Sequence, residues 1–210
     1  MRTLAIAPPN ARAAYVFAHG AGAGMAHAFM TAFAEGLGEQ GIATLRFDFP
    51  YMEKGSKRPD VPAVAHAAVR EAVQEASRIF PGLALFAGGK SFGGRMASQA
   101  QAKSPLPGVR GLAFVGFPLH PAGKPGVERA AHLADVAVPM LFLQGTRDEL
   151  AQMELLRPVV GSLGERATLR TFEAADHSFH VPARTGRQDA EVMREMVQAA
   201  AEWMRVVAPA

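Results

Sequence analysis

Three side chains far apart in the 210-residue chain have the types and the setting for nucleophilic catalysis: Ser91, Asp148 and His177. Ser91 lies in Gly88-Gly89-Lys90-Ser91-Phe92-Gly93-Gly94, where Gly89, Ser91 and Gly93 satisfy G-x-S-x-G. A nucleophile raised on a one-residue turn between a strand and a helix takes a strained backbone, and side chains two residues to either side would make strand and helix collide. The helix that follows directs free N–H groups and a partial positive charge at the serine. A serine hydroxyl is a weak nucleophile, so it needs a base, and the base needs an acid to orient it. The chemistry that these residue types would do is attack on an acyl carbonyl.

Seven histidines compete for the role of base. His177, in Glu173-Ala174-Ala175-Asp176-His177-Ser178-Phe179, follows the last apolar strand run and is the expected one. His180 is the internal comparison, expected at the surface or beside the site. His66 falls in a helical stretch and His27 and His132 near others, which suits solvated or packed roles. His120 follows a strand end and is a distant candidate, and His19 is expected to support the geometry of its loop. Asp148, in Gly145-Thr146-Arg147-Asp148, follows the strand before His177 and is the expected acid; Glu149 is the fallback, and a helix cap is the alternative role for Asp148. The three residues each end a different strand and run in the order Ser…Asp…His. The N–H groups of Phe92 and of Ala21, in His19-Gly20-Ala21, are the expected oxyanion donors.

Two other readings compete for the serine stretch. A phosphate loop, G-x-x-x-x-G-K-[ST], needs glycine at position 84, where Ala84 stands, and Gly82 is two residues out of register. The apolar run Leu83 to Ala87 also fills the space of such a loop. The other is an ordinary glycine-rich turn, which only partners elsewhere in the chain can decide against.

The elements that must position these groups are short apolar runs alternating with helical patterns. Strands are expected at Tyr15–Ala18, Ile42–Phe47, Leu83–Ala87, Gly111–Phe117, Met140–Gln144 and Ala167–Phe172, with a possible edge strand at Thr3–Ala7. Helices are expected over Met25–Leu37, Pro62–Phe80, Ser91–Lys103, Leu150–Val160 and Gln188–Val206, with a brief one near Val127–Leu133 and a polar loop over residues 49–61. This alternation indicates a mostly parallel sheet with helices on both faces, whose sites form beyond the carboxyl ends of the strands. No repeat, low-complexity tract or linker divides residues 1–210, so one domain is expected.

The composition is that of a globular chain, 49% hydrophobic, with a net charge of +3. The pI near 9.6 arises without any Lys/Arg-dense block, so no nucleic-acid partner is expected. The chain has no cysteine, which removes disulfides and thiolate chemistry. Residues 13–34 carry no Asp, Glu, Lys or Arg, but Gly20, Gly22 and Gly24 break them into a strand and a helix, so no membrane span is expected. The apolar run before Pro8-Pro9 is too short for a secretory signal, and the expected location is cytoplasmic.

Over nearly its whole length the sequence resembles the α/β-hydrolase superfamily, and within it small bacterial members of the dienelactone-hydrolase-like or KANL/Tex type. The residues that carry the resemblance are His19-Gly20-Ala21-Gly22-Ala23-Gly24, Gly88 to Arg95, Gly145-Thr146-Arg147-Asp148 and Asp176-His177-Ser178-Phe179. It implies an α/β-hydrolase fold and a Ser91, Asp148, His177 triad, but no substrate. Dienelactone hydrolases proper use a cysteine nucleophile, so that activity does not carry over. Members often insert a lid after the sixth strand, and residues 118–138 leave no room for a lid domain.

The expected function is hydrolysis of a small ester or thioester by a serine nucleophile, with no metal or organic cofactor and with the oligomeric state open. The alternative is a binding or scaffold protein that keeps the fold with little chemistry. Met25, Phe29, Tyr51, Phe117, Leu119 and Phe179 are the expected apolar contacts for the substrate. Lys54, Lys57, Arg58, Lys90, Lys124, Arg147 and Arg184 are either ordinary solvated charges or a basic rim that draws anionic substrates.

Overall fold

Apolar runs without polar alternation become strands buried on both faces, the arrangement of parallel strands between helix layers. The computed structural model describes residues 1–209. In chain order its elements are β1 (Thr3–Ile6), β2 (Ala13–Ala18), α1 (Ala28–Glu39), β3 (Ile42–Phe47), α2 (Pro50–Glu53), α3 (Pro62–Ile79), β4 (Ala84–Lys90), α4 (Phe92–Lys103), β5 (Val109–Val115), β6 (Met140–Gly145), α5 (Met153–Ser162), β7 (Ala167–Phe172) and α6 (Asp189–Val207). The sheet runs β1-β3-β2-β4-β5-β6-β7, with only β1 antiparallel to its neighbour. Side chains of β2 alternate between two cores. Ala14, Val16 and Ala18 face α3 and α4, whereas Tyr15 and Phe17 face α1 and α6. The α/β-hydrolase fold is lidless here: between β5 and β6 the chain carries only a 3₁₀ segment, Glu128–Asp135.

The strand order reverses between β2 and β4, which opens a crevice beyond their carboxyl ends, the place where such sheets bind ligands. The register pairs Ala18 with Gly89 across that crevice. A Cβ at Gly93 would strike the Ala18 carbonyl oxygen and lie 2.6 Å from the Ala18 carbonyl carbon and 2.7 Å from the His19 oxygen. The glycine frame around Ser91 is therefore what lets β2 and the first turn of α4 touch. Gly93→Ala is expected to destabilise the fold by about 3 kcal/mol or more, measured by urea unfolding, because the clashing atoms are backbone and cannot rotate away.

The elements depart from the sequence expectation at their ends. β4 runs on through Gly88 and Gly89 to Lys90, since these glycines serve the close approach to β5 and β2 rather than a turn. That leaves no phosphate loop before Lys90-Ser91. α1 starts at Ala28, because the Met25 N–H goes to Asp48 Oδ1 at 2.8 Å and the His27 ring caps the Phe29 N–H. α5 starts only at Met153 after Gln152, so Asp148 is not its N-cap. Residues 50–53 form a short helix with Pro50 at its first position, where a missing N–H costs nothing.

Candidate active site

Ser91 sits at the carboxyl end of β4 and caps α4, at φ 50° and ψ −115°. That backbone is uncommon for a residue with a side chain and costs about 1–3 kcal/mol. It is held by the Ser91 N–H bond to the Val115 carbonyl at 3.0 Å. The turn lifts Oγ above the sheet, where it meets His177 Nε2 at 2.8 Å. His177 Nδ1 lies 2.7 Å from Asp148 Oδ2. A carboxylate only accepts, so Nδ1 carries the proton and Nε2 presents a lone pair to the Ser91 hydroxyl. The three sequence candidates, 86 and 29 positions apart along the chain, thus form one hydrogen-bonded relay.

Asp148 is almost fully buried, and both of its oxygens accept further bonds. Gln144 Nε2 donates to Oδ2 at 2.5 Å, and the Leu150 N–H donates to Oδ1 at 2.8 Å. The Gln144 amide is itself fixed, since its oxygen accepts the Phe117 N–H at 2.9 Å. Sequence reading passed over Gln144; the signal was a polar residue in an otherwise apolar strand, Met140–Gly145. The loop bearing His177 is bound to the loop bearing Asp148. The Arg147 N–H bonds the Ala175 carbonyl at 2.9 Å, and the Ala174 N–H bonds Thr146 Oγ1 at 2.8 Å. Gly145 must lack a side chain there, for a Cβ would strike the Ala175 carbonyl.

The other histidines take other places. His180 is exposed and pairs with Asp189 Oδ2 at 2.8 Å, a bond that raises its pKa. His19 is buried: Nδ1 donates to the Gly20 carbonyl at 2.7 Å, and Nε2 accepts the Phe49 N–H at 3.2 Å. Burial lowers its pKa, and its bonds brace the loop that carries Ala21. His132 bonds Ser98 Oγ at 2.7 Å, and burial pulls it down to about 4. His66 bonds Gln99 at 3.1 Å, and His120 bonds the Pro121 carbonyl at 2.9 Å, both away from Ser91.

Phe92 is the first residue of α4, so its N–H has no acceptor within the helix. Among the described residues neither that N–H nor the one of Ala21 is engaged in a hydrogen bond. Beside Ser91 opens a cleft of ≈ 400 Å³, walled by Ala21, Ala23, Phe29, Met30 and Leu150, with His27, Lys90, His177 and Ser178 at its polar parts. Of the six expected substrate contacts, only Phe29 lines it.

The other five do not line it. Phe117 packs edge-to-face against Phe114 and Phe142 in the core, and Leu119 is fully buried. Tyr51 is buried, and its hydroxyl accepts the Gly22 N–H at 2.9 Å, so it braces the Ala21 loop. Phe179 is buried behind Phe29, with ring centroids 6.0 Å apart. Met25 stays outside the cleft, its backbone tied to Asp48 and Arg46. Of the basic residues, Lys54, Lys57, Arg58, Lys124, Arg147 and Arg184 are exposed and off the cleft, and only Lys90 reaches it.

A family model described as an alpha/beta hydrolase domain matches residues 11–205. Among solved structures the chain is similar to a dienelactone hydrolase from Anabaena variabilis, at 21% identity over 96% of this chain and 89% of that one, with a TM-score of 0.76. An alpha-beta serine hydrolase homologue from Coxiella burnetii aligns at 22% identity over 94% of this chain and 90% of that one, with a TM-score of 0.75. A serine hydrolase without lid from Xanthomonas campestris aligns at 20% identity over 96% and 88%, with a TM-score of 0.73. At such identities the likeness to these structures is one of fold.

Proposed function

The chain belongs to the alpha/beta hydrolase family, and from that premise we propose that it is a serine hydrolase cleaving a small neutral ester or thioester through an acyl-enzyme. The observation that carries this reading is the relay from Asp148 through His177 to Ser91, closed at 2.7 and 2.8 Å on the floor of a cleft. Ser91 Oγ attacks the substrate carbonyl while its proton passes to His177 Nε2. Asp148 stabilises the imidazolium and keeps its tautomer. The carbonyl oxygen, now carrying the negative charge, turns to the N–H groups of Phe92 and Ala21. His177 then gives its proton to the leaving oxygen or sulfur, and the acyl group stays on Ser91. Water, losing a proton to His177, attacks the acyl carbon, and His177 returns that proton to Ser91 Oγ as the acid leaves.

The cleft supports the neutral, short substrate. Its volume is at the small end of ligand pockets, and its walls are mainly apolar. The one cation that reaches it, Lys90, donates to a backbone carbonyl of the protein. The test is kcat/KM for matched neutral and anionic short-chain esters at low and high salt. The neutral ester is expected to be at least as good a substrate, with the ratio moving by less than about twofold as salt screens the exposed charges. A preference for the anionic ester that fades with salt would overturn the neutral assignment.

A further inference from the structure

We propose that Lys90, the residue before Ser91, is a positioning residue for His177: its ammonium holds the His177 main chain and so keeps the imidazole over the serine. Nζ donates to the His177 carbonyl at 2.6 Å, across 87 positions of sequence. Among the described residues this is the side-chain bond that ties the His177 main chain to the strand carrying Ser91. The remaining bonds of the loop are local, run to the Asp148 loop or, from His180 and Val181, reach Asp189 at the start of α6. The Phe179 N–H bonds the Asp176 carbonyl, the Ser178 N–H bonds Asp176 Oδ1, and Ala174 and Ala175 are held by Thr146 and Arg147.

The surroundings are shaped for a cation. Nζ lies 5.7 Å from the Phe29 ring centroid and 5.4 Å from that of Phe179, both within cation–π range. Gly116, at φ +67°, leaves the space: a Cβ there would be 3.0 Å from Nζ and 3.5 Å from His177 Nδ1. Among the described residues Lys90 forms no ion pair. The charged or titratable groups that face it are Asp148 from the β6 loop, Asp176 and His177 from the loop it binds, and His27 across the cleft. α1 otherwise offers it the Phe29 ring and the end of β5 offers Gly116.

A part-buried ammonium without a carboxylate partner adds little to stability, and an apolar side chain would serve stability as well or better. What the ammonium supplies here is the charge-assisted bond, which is stronger than one made by a neutral amine. Burial lowers the Lys90 pKa from 10.5 to about 8, against the pull of Asp148 and Asp176. The ammonium is therefore present below that pH and lost above it, and the hold on His177 weakens in the same direction.

The consequence for rate rests on the serine-hydrolase reading above; the Lys90–His177 coupling does not. The experiment joins pH profiles of kcat and KM on a neutral ester with an NMR titration of the His177 imidazole, for the wild type, Lys90→Met and Lys90→Arg. Wild-type kcat is expected to fall above pH about 8, and the His177 signals to inflect there. Lys90→Met should lower kcat about tenfold to a hundredfold at pH 7, the cost of one charge-assisted bond, with KM nearly unchanged. It should also lose both the alkaline fall and the inflection. Lys90→Arg, always charged, should recover part of kcat and lack the fall near pH 8.

An alkaline fall that survives in Lys90→Met, a wild-type His177 titration without the inflection, or a Lys90→Met defect confined to KM for anionic esters would each overturn the proposal. A wild type that shows the inflection but neither turns over esters nor reacts at Ser91 would sink the hydrolase reading and leave the coupling standing.

Discussion

Replacing Ser91 by alanine is expected to remove ester turnover, with a loss on the order of 10⁶ in kcat, the loss typical when the nucleophile of such a relay is removed. A fluorophosphonate should add once to the wild-type protein, by intact mass, and not at all to the variant. The fold should be indifferent to this change. Alanine keeps the Cβ and inherits the same φ of 50°, and the only side-chain bond lost is the one to His177. Ser91→Gly separates the two consequences of the turn. Glycine adopts φ > 0 without strain, so this variant should be equally inactive yet more stable by about 1 kcal/mol, once its greater unfolded-state freedom is set against the relief. Labelling that persists at the wild-type rate in Ser91→Ala would mean that another residue is the nucleophile. An unlabelled wild type with no turnover would favour the binding or scaffold alternative.

That Ser91, Asp148 and His177 meet was legible in the sequence because each follows an apolar run short enough to be a strand, and because G-x-S-x-G has a steric meaning that does not depend on distant contacts. The same logic reached the parallel sheet and the absence of a lid. It fell short where a residue's role is decided by what lies across the crevice. Tyr51, Phe117, Leu119 and Phe179 have the chemistry of substrate contacts and follow strand ends, Tyr51 in the short helix α2 and the others in loops, yet each turns inward and is buried. Periodicity assigns a face within a strand or helix, but a loop has no period from which to read an inward turn. Met30 and Leu150 were missed for the converse reason: each reads as part of a helix or its approach, and only the arrangement of α1 and the Asp148 turn brings them to the cleft. Lys90 looked like one of seven rim cations and is the one whose ammonium is withdrawn into the cleft wall.

Asp148→Asn is expected to lower kcat by about 10³–10⁴ while the protein stays folded, and His177→Ala by at least as much. The neighbours of Asp148 decide the effect. An amide has one acceptor where the carboxylate has two, but Gln144 Nε2 and the Leu150 N–H both donate to this side chain. With its oxygen toward Leu150, the asparagine would aim an NH₂ group at both the Gln144 amide and His177 Nδ1. The imidazole would then carry its proton on Nε2, facing a serine that needs an acceptor. Gln144 cannot flip to relieve this without orphaning the Phe117 N–H that its oxygen accepts. With the oxygen turned to His177, the tautomer is kept, but NH₂ opposes the Leu150 N–H and the imidazolium has lost its counter-charge. Either orientation therefore raises the barrier, and the pH profile of kcat should shift as the imidazolium loses Asp148. His180→Ala is the control: an exposed ring paired with Asp189 and away from Ser91 should cost less than about threefold, the scale of a surface change. If His180→Ala proved as damaging as His177→Ala, or Asp148→Asn kept wild-type kcat, the relay read from these distances would not be the one that the enzyme uses.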